Sequence, residues 1–182
     1  MPTSRDCAIF EHLTAARQMT EIQSIIDELR QAHDGSPWHG SSRADLLRGV
    51  SAAEAARRTV PNTHTIWELV LHMIAWTGEV ARRTRGHAAG TPLEGDWPAQ
   101  PAEPSDAHWQ KAIAALGDSH ADLVRAVQAF PESRLATLVS DERNTSLGTG
   151  VTYGAMLHGV AQHDAYHSGQ IALLKKFGLN AP

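Results

Sequence analysis

"TYGAMLHGVAQHDAYHSGQIALLKKF", residues 152–177, decides the fold. At about 100° per residue, Met156, Val160, Ile171 and Leu174 fall on one side of a helix. His163 and His167 fall in the middle of that same stripe, and Gln170 lies almost in line with His163. His158 points the other way. Thr152 can cap the helix, Lys175 and Lys176 suit its last turn, and Gly178 is placed to end it. Two imidazoles one turn apart on a buried face are costly unless partnered, and they cannot both carry charge at that spacing. A pair of hydrogen-bonded core histidines is one resolution. Chelation of a divalent metal by both nitrogens is the other, and the i,i+4 spacing suits it.

Two ligands leave a metal open to a third from a neighbouring helix. The segment 60–86 supplies the candidate. Thr65 and Glu68 have capping-box spacing, and Ile66, Leu69, Val70, Met73, Thr77 and Val80 make its apolar stripe. Arg82, Arg83 and Arg85 complement the C-terminal dipole, and Gly86 stops it. His72 lies about a third of a turn off the stripe, which places it at the bundle's edge, near solvent. His64 and Glu68 are weaker candidates. Three histidines from two helices would leave a coordination position for water or substrate, the pattern of a reactive centre rather than a closed structural one.

Two more long helices are expected. Residues 5–33 carry Ile9, Leu13, Ala16, Thr20, Ile26 and Leu29 at helical spacing, with "DGSP" (34–37) as the stop. Residues 105–130 carry Trp109, Ile113, Leu116, Leu123 and Val127, with Gly117 as a weak point. Ser42 with Asp45, and Ser51 with Glu54, start two short helices that lie across the bundle. Residues 90–104, "GTPLEGDWPAQPAEP", hold four prolines and two glycines and form a loop: a lid, a cleft edge or a partner surface. Residues 131–151 are irregular, with an extended piece at "LATLV" (135–139). Four long helices without a convincing sheet make an all-α four-helix bundle with short connecting helices and a Pro-rich loop, one domain over 1–182.

Composition narrows the function. The 182 residues carry a net charge of −4, which lacks the basic footprint that nucleic-acid binding needs. Apolar runs are broken every few positions, so no membrane span is expected, and the N-terminus lacks a secretion-signal layout. Cys7 is the one cysteine, so no internal disulfide or cysteine-based zinc site forms, and a reducing, cytoplasmic setting fits.

"HTIWELVLHMIAW" (64–76) together with "LHGVAQHDAYHSGQIALLKK" (157–176) resembles the DinB-like, or DinB/YfiT-like, family of bacterial four-helix-bundle metalloproteins. "WHG" (38–40) and "LLRGVSAAEAARRTVPNTHTIWELV" (46–70) are similar to a common branch of it. The similarity runs from about residue 5 to residue 178. It implies metal ligation by His72, His163 and His167, the three that the helical reading also selects. Zinc is the default ion for imidazole ligands, and nickel suits them as well. The resemblance further implies a homodimer and, for some members, transfer of a low-molecular-weight thiol to a small-molecule substrate. A metal-dependent hydrolase or a non-catalytic metal-binding stress-response module are the alternatives, since family membership does not fix the reaction. The reacting group would be a metal-bound water or thiolate. Trp76, Gln170 and Trp38 are candidate pocket walls. Core packing is the plainer reading for the tryptophans, and a hold on a histidine or the loop for Gln170. Glu79 and Asp164 are the nearest acids. A solvated place for Glu79 and a supporting or surface place for Asp164 are expected, and the missing general base disfavours hydrolysis.

Overall fold

The computed structural model describes residues 19–179. Among these the chain is all-helical: α1 (Glu21–Asp34), α2 (Arg43–Leu47), α3 (Ala52–Ala56), α4 (Ile66–Thr84), α5 (Asp106–Gln128) and α6 (Tyr153–Leu179), with a single 3-10 turn at Glu132–Arg134. The four long helices are those of the expected bundle. The reading of 135–139 as extended survives as one antiparallel bridge, Leu138 with Thr152.

Side-chain caps set the helix starts. Ser51 and Thr65 form reciprocal capping boxes with Glu54 and Glu68, while Ser42 accepts from the Asp45 amide and Ser105 from the His108 amide. The Thr152 hydroxyl accepts from the Ala155 amide at 3.1 Å. The first helix differs from expectation. Thr20, read as a position on the stripe of one helix over 5–33, is extended and forms a capping box with Gln23, so α1 begins at Glu21. Residues 5–18 and Cys7 lie outside the described residues. At the other end, α6 runs through Gly178 instead of stopping there, and Arg57 donates to the Gly178 carbonyl at 3.3 Å. Gly117 sits inside an unbroken α5.

The core is in two parts. One apolar cluster joins Ile25, Ile26 and Leu29 of α1 to Val80, Leu123, Val127, Leu157 and Val160. The other joins Leu47 and Ala55 to Trp67, Val70, Met73, Trp109, Leu116, Ile171 and Leu174. Trp67 and Trp109 pack with ring centroids 5.0 Å apart, and the Trp109 indole donates to the Val50 carbonyl at 2.7 Å. Following α6 upward, one cluster ends at Ala161 and the other resumes at Ile171. On α5 the same gap falls between Leu116 and Leu123. This waist of the bundle is filled by polar groups: His33, Arg43, His72, His120, His163, Asp164 and His167. Arg43, His72, His120, Asp164 and His167 are buried there. Buried polar groups are tolerated only when partnered, so their partners define what the waist is for.

Candidate metal centre

His163 and His167 extend from α6 toward α4, one helical turn apart. His72 meets them from α4. His72 Nε2 lies 3.0 Å from His163 Nε2, and His167 Nε2 lies 3.1 Å from it. Ligand atoms 2.0–2.1 Å from a tetrahedral zinc stand roughly 3.3 Å from one another. The three nitrogens could therefore hold one metal ion with small adjustment.

The opposite ring nitrogens decide the tautomers. His72 Nδ1–H donates to the Asp96 carbonyl at 2.6 Å, and His167 Nδ1–H donates to Gln170 Oε1 at 2.7 Å. A carbonyl oxygen can only accept, so both rings carry their proton on Nδ1 and turn an Nε2 lone pair toward His163. One His163 N–H could satisfy only one of those lone pairs. A divalent cation satisfies all three nitrogens, and this donor set is the fit that a metal requires. Burial holds the imidazolium forms off: His72 titrates below its ordinary range chiefly through desolvation, with the nearby His163 adding to it, and His167 is lowered to about 4 by burial first. Neutral imidazole is the metal-binding form.

His72 is not at a solvent edge. It is only 6% exposed, because the loop 90–104 folds over it. The Trp97 indole stacks on the His72 ring at 3.8 Å between centroids, and His64 stacks on the other face of the indole at 3.5 Å. Three parallel rings thus roof one side of the cluster. Asp96 contributes its carbonyl to His72, and its carboxylate accepts from the Trp76 indole at 2.7 Å. The loop is pinned at its start by Glu79, which accepts from the Gly90 amide at 2.9 Å. It is pinned at its end by Gln100, hydrogen-bonded to Thr65 and to the Ala56 carbonyl.

The remaining candidates divide. Gln170 holds His167. Trp76 is half-buried, edge-on to His72 and bonded to the loop. Glu79 is not solvated: it is 2% exposed and paired with Arg83 at 2.8 Å and Arg82 at 3.0 Å. Burial alone would raise its carboxyl, and the bonds from Arg83, Gly90 and Arg82 bring it below the ordinary range. Asp164 is buried beside His163 and paired with Arg43. Trp38 is fully exposed and lines a surface depression with Pro37, Gln162 and Ala165, which none of the three histidines lines. His64 and Glu68 stay outside the cluster. His64 belongs to the ring stack, and Glu68 is held by the Thr65 amide and Arg58. His158 faces α1, between Glu21 and Glu28, whose hydrogen bonds raise its pKa. Asp96, Trp97 and Arg43 were not picked out from the sequence. A tryptophan in an otherwise small-residue, proline-rich loop was the one available signal for the first two.

A helical bundle that gathers imidazoles from two helices at a polar waist defines a class of proteins with an interhelical site suited to a divalent cation. The chain belongs to the DinB superfamily, whose family model matches residues 42–171. No curated protein and no solved structure matches the chain.

Proposed function

We propose that His72, His163 and His167 hold a divalent metal ion, zinc first and nickel second, and that the protein is a metal-dependent transferase using a low-molecular-weight thiol. The convergence of three Nε2 atoms, two of them fixed as lone-pair donors by Asp96 and Gln170, carries the metal reading. Bound there, the ion would supply Lewis acidity and keep a thiol ionised near neutral pH.

The surrounding residues favour transfer over hydrolysis. Hydrolysis calls for a general base within reach of a water. Among the described residues Glu79 is held by two arginines, Glu68 by Arg58, Asp164 by Arg43 through Oδ2, and Asp96 by Trp76. Trp97 and His64 exclude water from one side of His72. Beyond Gln170 and His64 lies a mostly apolar cleft of about 420 Å³, lined also by Leu69, Leu173, Leu174 and Phe177. None of the three histidines lines it. It meets the centre through Gln170 and His64 and offers room for the apolar part of an electrophile.

Protein purified without a nickel column should contain one equivalent of zinc by elemental analysis, lost in His163→Ala. The metal-loaded protein should consume monochlorobimane only when a small thiol is supplied, and a chelator should abolish this. Metal content indifferent to His163→Ala overturns the metal reading. Turnover of esters or amides without thiol overturns the transferase in favour of hydrolysis.

A further inference from the structure

His163 differs from the other two histidines of the cluster. Their Nδ1 atoms have acceptors at 2.6 and 2.7 Å. His163 Nδ1 is buried and has no hydrogen-bond partner among the described residues. Asp164 Oδ1 lies 3.9 Å away, equally buried and equally unpartnered. The other carboxylate oxygen, Oδ2, is paired with the Arg43 guanidinium. Arg43 is 1% exposed. It reaches the waist from α2, a helix of five residues. It also donates to His33 Nδ1 at 2.8 Å and points one nitrogen at the Met73 sulfur at 3.9 Å. With its two terminal nitrogens held by these contacts, the guanidinium keeps Oδ2 of the carboxylate, and Oδ1 is left on the side of His163.

We propose that Arg43 is a positioning residue for His163. It acts through Asp164, whose Oδ1 takes the Nδ1–H that His163 must carry when its Nε2 lone pair is given to a cation. This deepens the metal reading above and rests on it. A cation on Nε2 leaves the ring proton on Nδ1, and an N–H buried without an acceptor is costly. Closing 3.9 Å to hydrogen-bond length takes about 1 Å of ring movement. Arg43 would not touch the ion. It holds the acceptor still and keeps a buried carboxylate compensated, as an outer partner does for a metal-bound histidine.

The test measures zinc affinity by competition with a chromophoric chelator and the His163 ring by ¹⁵N NMR. Arg43→Met and Asp164→Asn should each weaken zinc binding about 10- to 100-fold while circular dichroism stays helical. Arg43→Met should cost nothing further in the Asp164→Asn background, because it acts only through that carboxylate. Arg43→Lys, which keeps the charge, should recover part of the loss. In zinc-loaded protein both single variants should shift the His163 Nδ1 resonance and leave those of His72 and His167 in place. Folded single variants with wild-type zinc affinity and an unshifted His163 resonance overturn the proposal and leave Arg43 a packing role. If a single variant fails to fold, Arg43→Met/Asp164→Leu, which leaves neither an unpaired buried charge nor an acceptor for the His163 Nδ1–H, decides by the same affinity measurement: a comparable loss supports the proposal, wild-type affinity overturns it. Wild-type protein that binds no zinc overturns the metal reading itself, an outcome the wild-type control separates from the failure of Arg43 alone.

Discussion

An imidazole gives away one lone pair at a time, and the contact at its other nitrogen selects which. Gln170 makes that selection for His167. Gln170→Ala should therefore weaken zinc binding about tenfold or more without unfolding the chain, read by chelator competition beside circular dichroism. The pair His163 and His167 was legible on a helical wheel, because both interrupt an otherwise apolar stripe. The depth of His72 was not. A wheel records where a side chain leaves its own helix, and His72 is buried by Trp97 and Asp96 of a loop 24 residues downstream. Arg43 was illegible for a similar reason. A five-residue helix has no periodicity to read, and nothing in "SSRADLL" announces that its arginine points inward.

Elements show the same division between local and distant causes. Ser42, Ser51, Thr65 and Thr152 mark helix starts in the sequence because a cap needs only residues within one turn. The loop 90–104 has no such internal logic, and its course is set by Glu79 and Arg83 on α4. Arg83 is itself buried and bonded to the Gly90 and Leu147 carbonyls at 2.9 and 2.7 Å. One ion pair thus joins two irregular segments to one helix. Glu79→Ala leaves a buried guanidinium without its carboxylate and frees the start of the loop. A loss of about 3–5 kcal/mol in urea unfolding is expected. Zinc should also escape faster to a chelator, since the roof over His72 loses one anchor. Stability within 1 kcal/mol of wild type, an outcome ordinary for exposed pairs, would refute that account.

Across the whole molecule, the polar waist makes the middle of the bundle sensitive to acid. His120 stacks on His33 at 4.0 Å between ring centroids. Burial first, then the charges of His33 and Arg43, lower it to about 4 from 6.5. The folded protein keeps this ring neutral where the unfolded chain takes up a proton. Its contribution to stability is complete above pH 6.5 and is lost as pH falls toward 4. The loss amounts to at most about 3 kcal/mol. His120→Phe keeps the stack and removes the proton, so its urea midpoint should fall less than wild type's over that interval. His33, His72 and His167 shift in the same direction but are present in both proteins, so the difference reports the stacked pair of His120 and His33. Near neutral pH, zinc at a thousand times its dissociation constant should add about 4 kcal/mol by mass action. This would appear as a rise in melting temperature that His163→Ala abolishes.

The three-ring stack also gives the molecule an optical reporter of its own. Of the five tryptophans, Trp67 and Trp109 are sealed in the core and Trp38 is wholly in water, so their emission has little reason to change. Trp76 is half-buried beside the loop. Trp97 alone is held between two imidazoles, 38% exposed, on the segment that covers His72. Were that segment to lift, its indole would exchange stacked rings for solvent. The emission of wild type less that of Trp97→Phe therefore follows the roof of the centre directly, without a label.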